Sequence, residues 1–207
     1  MMNAMKTNHV APNLLQRQFR MSGPRTVLLT DITYLTYGQG QRAYMVTILD
    51  AYTKQLLAYE ISKSLKIDFV LNAVNKLIQK HGISLQKETL INSDQGSHYT
   101  STKFIQILRS NDLRQSMSRR ANCWDNAPQE SFFGHMKDEL DLTSCKTYAQ
   151  LQALIEDWTD YYNNDRYQWG LALLAPNEYA HYLATGIYPL KRSVPPDPFI
   201  LSDNSPK

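Results

Sequence analysis

Three carboxylates stand where chemistry explains them better than structure does. Asp31 interrupts an apolar run, Leu28-Leu29-Thr30-Asp31-Ile32-Thr33-Tyr34-Leu35. A carboxylate inside a strand bound for the core is costly unless it faces a polar cleft or a cation. Asp94 sits where the short segment Thr89-Leu90-Ile91-Asn92 gives way to the turn-like Ser93-Asp94-Gln95-Gly96. Functional groups gather at such strand ends in α/β sheets. Glu130 falls in the first turns of a helix that Asp125 or Asn126 caps and Pro128 opens. Between Asp31 and Asp94 lie 62 residues, and between Asp94 and Glu130 lie 35.

Three acids suit phosphodiester chemistry. Two divalent ions about 3.5–4 Å apart activate the attacking oxygen and stabilise the leaving one. Mg²⁺ takes carboxylate oxygens and keeps several waters, so few protein ligands suffice. Asp31, read as central in the sheet, is the candidate to bridge both ions. Glu130, Gly134 and Lys137 are spaced i, i+4 and i+7 and share one helix face. At ~1.5 Å per residue, Lys137 lies about 10 Å from Glu130, where a DNA phosphate fits. Gly134 leaves room for close approach between them.

Each acid also has an ordinary reading, as a turn residue after a strand or a solvated helix residue. Asp112, Asp138 and Glu139 are rival carboxylates. Asp50 reads as a hairpin-turn residue and Asp125 as a helix cap. His98 and His135 suit hard Mg²⁺ poorly.

The elements that must position these groups follow from periodicity. Val27 to Leu35 is β-rich, Gly38-Gln39-Gly40 turns, Ala43 to Leu49 is a second strand and Gln55 to Ile61 a third. Short connections make these an antiparallel meander. Phe69, Val70, Ala73, Val74, Leu77 and Ile78 form a helical stripe with Gly82 as its stop. A strand ends at Asn92, a helix capped by Ser101 or Thr102 runs to Leu108, and Leu113 to Met117 is a fifth strand. The helix bearing Glu130 runs to about Leu140. Another opens on the capping box Thr147-x-x-Gln150, with Leu151, Leu154, Ile155, Trp158, Tyr161 and Tyr162 at helical spacing. The order β-β-β-α-β-α-β-α-α predicts a mixed α/β sheet with helices on both faces. Beyond Tyr182, five prolines end regular structure.

Composition bounds the class. At 207 residues, 43% hydrophobic and 20% charged, the chain is one ordinary domain and no disordered polyelectrolyte. Its two cysteines, Cys123 and Cys145, are too few for a disulfide scaffold and read as inert thiols. No apolar stretch is long enough for a bilayer, and Met1 to Arg20 lacks a signal-peptide core. These features predict a soluble cytoplasmic protein without a membrane partner.

The net charge of +3 is uninformative by itself. Residues 101–120 nevertheless hold Lys103, Arg109, Arg114, Arg119 and Arg120 against Asp112 alone, a local +4. Such a stretch before the Glu130 helix suits phosphates. Arg119 and Arg120, in the loop before Glu130, are the candidates for DNA contact. Lys103 and Arg109 read equally as a solvated face. Trp124 either stacks on an extruded base or fills the core. Asn126 either caps the helix or bonds the site. Tyr161, Tyr162, Tyr167 and Trp169 read as core or helix-packing residues.

Several segments together resemble bacterial insertion-sequence transposases. They are Thr30-Asp31-Ile32-Thr33-Tyr34, Ser93-Asp94-Gln95-Gly96-Ser97-His98-Tyr99, Ser116-Met117-Ser118-Arg119, and Cys123-Trp124-Asp125-Asn126-Ala127-Pro128-Gln129-Glu130-Ser131-Phe132-Phe133. Tyr162 to Leu171 and Ala175-Pro176 resemble that family's closing motif. The likeness spans roughly residues 10–184 and is to the second-frame protein of two-frame elements, whose core is similar to retroviral integrases. It implies an RNase H-like fold, a five-stranded mixed sheet with the first strand central. It implies a DDE triad of Asp31, Asp94 and Glu130, with Lys137 at the DNA end. It implies cleavage and strand transfer with two Mg²⁺ or Mn²⁺ ions, a 3′-hydroxyl attacking in line with no covalent enzyme intermediate. The implied partners are DNA, as terminal inverted repeats and target, a homo-oligomer on that DNA, and an upstream-frame helix-turn-helix protein. The implied location is the bacterial cytoplasm, with the nucleoid.

Lys54, Asn92 and Gln168 replace residues common in the family, and none of them is a metal ligand. The expected organisation is a tail or linker over 1–22, a catalytic core over 23–184 and a Pro-rich tail over 185–207. The chain begins almost at the core, which places specific DNA recognition on another chain or a fused form. The rival readings are a stand-alone RNase H-like nuclease and a truncated, non-catalytic regulator of transposition.

Overall fold

The computed structural model describes residues 11–14, 23–85, 89–118 and 127–190. Five strands form one mixed sheet in the order β3-β2-β1-β4-β5. They are β1 (Val27–Tyr37), β2 (Gln41–Asp50), β3 (Leu56–Ser62), β4 (Leu90–Ser93) and β5 (Arg114–Met117). The first three form the antiparallel meander, and β4 and β5 add in parallel on the other side of β1. The helices are α1 (Ile67–His81), α2 (Thr102–Arg109), α3 (Ala127–Glu139), α4 (Tyr148–Asn164) and α5 (Pro176–Thr185).

Alternation along β1 and β2 sends successive side chains to opposite faces. Leu28, Val46 and Ile48 join Phe69, Val70, Ala73, Val74 and Leu77 of α1 and Phe104 and Leu108 of α2 in one core. Leu35, Met45 and Leu49 join Phe132, Phe133 and Met136 of α3 and Leu151, Ile155, Trp158 and Tyr162 of α4 in another. The mixed sheet with helices on both faces is therefore as the periodicity predicts. The Thr147–Gln150 capping box and the Ser101 cap on Phe104 N–H (3.3 Å) also form as read.

Three readings are corrected. Gly82 does not stop α1 in a left-handed conformation; at φ −52° it stays right-handed and the chain runs into a 3₁₀ turn, Gly82–Ser84. A fifth helix, α5, follows the closing motif. Pro176 opens it and the Glu178 carboxylate accepts the Ala175 N–H at 3.0 Å, replacing a side-chain cap that Ala175 lacks. Trp169 and Tyr167 are not core residues, being 77% and 57% exposed, as is Tyr161 at 46%. Leu171, Ala172 and Leu174 anchor their loop beneath α5 instead.

The outer edge of β3 is closed by side chains. The Asn163 amide of α4 accepts the Leu56 N–H and donates to the Leu56 carbonyl, both at 2.9 Å. The Tyr148 hydroxyl donates to the Ile61 carbonyl at 2.8 Å, and His81 Nε2 lies 3.2 Å from that of Leu57. These contacts occupy groups that would otherwise pair with a foreign strand.

Candidate active site

The burial of β1 changes character at Asp31. Val27 to Thr30 are all buried, whereas Ile32 to Tyr37 shift to partial or alternating burial. Pairing explains the change. β4 accompanies β1 only through Val27↔Leu90, Leu28↔Ile91 and Leu29↔Asn92, while β2 continues to Tyr37. Beyond Leu29 the parallel neighbour ends and the two strands part. Asp31 and Asp94 lie two residues past the last registered pair on their respective chains, on strands about 4.8 Å apart. A crevice beyond the carboxyl end of parallel strands is where α/β sheets place ligands.

Both acids face this end of the sheet. Asp31 Oδ1 accepts the Ile32 N–H at 2.8 Å, and Asp94 Oδ1 accepts the Gly96 N–H at 2.9 Å. A Cβ at residue 96 would lie 2.9 Å from that Asp94 oxygen, so a side chain there would shift the carboxylate. Tyr99 is buried nearby, its hydroxyl 3.3 Å from Thr30 Oγ1. Burial raises the Tyr99 phenol well above its ordinary pKa, Asp31 and Asp94 raise it further, and the Thr30 hydrogen bond only partly opposes them. The phenol thus stays protonated beside two carboxylates.

Glu130 reaches the same strands through its neighbour. Gln129 is fully buried at the start of α3, although it is an amide. Its Nε2 donates to the Leu29 carbonyl at 2.7 Å, and its Oε1 accepts the Thr47 hydroxyl at 3.0 Å. Thr47 is the registered partner of Asp31 across β1 and β2. The turn carrying Glu130 is therefore seated beside Asp31. The donor chemistry is three hard carboxylates, which fits Mg²⁺ or Mn²⁺. They share one end of the sheet without closing to ligand distance; among the described residues no three His, Cys, Asp or Glu side chains stand ready to enclose an ion. Sequence reasoning missed Gln129 and Thr47, because polar residues reveal burial only once helix and sheet are docked.

Glu130, Gly134 and Lys137 line the exposed stripe of α3, as their spacing predicts. Nothing lies within 4 Å of a Cβ at residue 134. Gly134→Ala is therefore expected to stabilise the fold by about 1 kcal/mol, from helix propensity alone, in chemical denaturation. A loss of DNA joining in that more stable variant would locate the close approach outside the protein. Arg119, Arg120, Trp124 and Asn126, with Cys123 and Asp125, lie outside the described residues. Lys103 and Arg109 are exposed on α2.

The rival acids take structural posts. Asp50 is buried, and its carboxylate accepts the N–H groups of Arg25 (3.0 Å) and Tyr52 (2.9 Å). Glu139 closes α3 onto α4, accepting Arg166 Nε at 2.8 Å and Trp158 Nε1 at 2.9 Å. Burial would raise the Glu139 pKa, but the hydrogen bonds of Arg166 and Trp158, with the charges of Arg166 and His135, hold it below its ordinary value. A lowered acid stabilises the fold above its unfolded pKa and ceases to as pH falls through the folded one. Stability is expected to decline as pH drops below about 4.3. Glu139→Gln should remove that component, so urea midpoints of variant and wild type differ at neutral pH and converge in acid.

His98 pins a loop, its Nε2 2.8 Å from the Leu65 carbonyl. Asn92 ties β4 to the end of β5 through the Ser118 hydroxyl at 3.0 Å. The Lys54 carbonyl accepts the Tyr162 hydroxyl at 3.0 Å. The Lys54 ammonium itself donates to the Ala51 carbonyl, so the side chains of Lys54 and Asn92 both bond locally within the fold.

A five-stranded mixed sheet in this order, with helices on both faces, is the RNase H-like architecture of integrase-type catalytic cores. The comparisons agree. Integrase core domain families match residues 22–123 and 111–176. An uncharacterized transposase-like protein of Haemophilus influenzae is 33% identical over 84% of this chain and 79% of its own. The putative transposase InsK for insertion sequence element IS150 of Escherichia coli is 30% identical over 84% of this chain, which spans 61% of that relative. The HTLV-2 integrase catalytic core, solved with magnesium in a dimeric form, superposes with a TM-score of 0.54 over 70% of this chain and 90% of its own, at 16% identity. The chain belongs to the insertion-sequence transposases with an integrase core, a DDE-type family. Among the described residues, no helix is long and apolar enough to cross a membrane.

Proposed function

We propose that Asp31, Asp94 and Glu130 form the DDE triad of this transposase core and hold two Mg²⁺ or Mn²⁺ ions for cutting and joining DNA at element ends. The observation that carries the reading is the parting of β1 and β4 at Asp31 and Asp94, with the Glu130 turn seated on the same strands. When bound, the ions would supply charge stabilisation for the attacking and leaving oxygens of a phosphodiester. The chain's own part is positional. Asp31, on the central strand, would bridge the ions; Asp94 and Glu130 would each hold one. Lys137, on the exposed stripe beyond Glu130, would take a phosphate of the element end. Arg119, Arg120, Trp124 and Asn126 would extend that contact. Residues 23–184 are the catalytic unit in this reading, and both flanks hold on to it: Ala11 packs into the core of α1 and α2, and the Tyr188 hydroxyl donates to the Ala172 carbonyl at 2.9 Å. The magnesium and the dimeric form of the HTLV-2 core support a divalent metal and an oligomer. An upstream-frame helix-turn-helix protein would read the terminal repeats, in the bacterial cytoplasm at the nucleoid.

A joining assay tests the reading. The chain is given Mg²⁺ and a precut element end with either a 3′-hydroxyl or a 3′-deoxy terminus. Joined product is expected from the first alone, because the hydroxyl is the nucleophile. Hydrolysis of both ends without joining would favour a stand-alone nuclease.

A further inference from the structure

We infer that Gln129 is a positioning residue that sets Glu130 against Asp31 and thereby tunes divalent-metal affinity; the inference rests on the triad reading above. A buried amide is costly unless its polar atoms are bonded, and an apolar side chain of similar volume would pack there without that cost. Gln129 meets the cost in a particular way. Its donor bonds the Leu29 carbonyl of β1 and its acceptor takes the Thr47 hydroxyl of β2, so one side chain spans two strands.

Those strand positions are the ones that matter for the site. Leu29 is two residues before Asp31 on the same face, and Thr47 lies directly across from Asp31. Phe132, Phe133 and Met136 hold the rest of α3 by apolar contact, a non-directional attraction that does not by itself specify rotation of the first turn. Two hydrogen bonds of 2.7 and 3.0 Å do specify it, since they weaken steeply with distance and angle. Glu130 follows Gln129 by one residue, so fixing the depth and rotation of this turn fixes where its carboxylate can reach.

The test is a Mn²⁺ titration of the full chain, followed by the free-ion electron paramagnetic resonance signal, with circular dichroism as the control for fold. Gln129→Met, which keeps the volume and removes both bonds, is expected to weaken Mn²⁺ binding roughly 10-fold, the scale of outer-shell partners of metal ligands. Thr47→Val, nearly isosteric, should move it the same way by less, and it carries the test should Gln129→Met not fold. In a Glu130→Gln background, Gln129→Met should add nothing further. Wild-type affinity in both variants, or equal weakening with and without Glu130, would overturn the inference and leave Gln129 a packing residue. Wild-type affinity in Glu130→Gln alone would overturn the triad reading instead.

Discussion

Asp94→Asn is expected to lower DNA joining at least about 1000-fold, corresponding to roughly 4 kcal/mol of barrier, while the protein stays folded. The two halves of this expectation have separate causes. Asparagine keeps an oxygen where Asp94 Oδ1 accepts the Gly96 N–H, so the turn after β4 is retained. Asp94 is also exposed, and exposed substitutions without a structural role change stability by about 0.5 kcal/mol or less. What the variant loses is a negative charge just past the point where β1 and β4 part. Joining assays with Mg²⁺ and with Mn²⁺, set beside thermal unfolding, separate the two effects. A variant that still joins ends at near wild-type rate would remove Asp94 from the site.

Phe132→Ala is expected to cost about 3–5 kcal/mol and lower the unfolding midpoint by about 10 °C. Phe132 is 2% exposed and occupies the junction of α3 with α4. Its ring packs edge-on against Phe133, Trp158 and Tyr162, with centroids 5.6, 5.4 and 4.8 Å away. Truncation to a methyl leaves a void that two helices and a sheet cannot easily collapse. The effect reaches function because α3 carries Glu130 two residues earlier. Calorimetry gives the stability change, and a drop below about 1 kcal/mol would show that the junction repacks.

The contrast between these residues explains what was legible in the sequence. The core stripe of α1 and the capping box of α4 rest on local spacing, so periodicity finds them. Asp31 was visible because a charge in an apolar strand is anomalous before any fold is known. Lys137 shares an exposed stripe with Glu130 because 3.6-residue periodicity alone puts it there. Gln129 and Thr47 were not legible: a glutamine in a first helical turn looks solvated until the helix is docked. Trp169 misled in the opposite sense, since a large aromatic in a motif reads as core, yet Leu171, Ala172 and Leu174 take that role. The helix α5 was masked by a proline that ends one reading and begins another, its carboxylate cap at Glu178 lying two residues inside.

The most direct measurement locates the ions themselves. Crystals of the full chain with a precut element end, soaked in Mn²⁺, give anomalous scattering from the metal alone. Two peaks about 3.5–4 Å apart are predicted, one bounded by Asp31 and Asp94 and the other by Asp31 and Glu130. Peaks at other carboxylates, with none at Asp31 under saturating Mn²⁺, would contradict the assignment of the site.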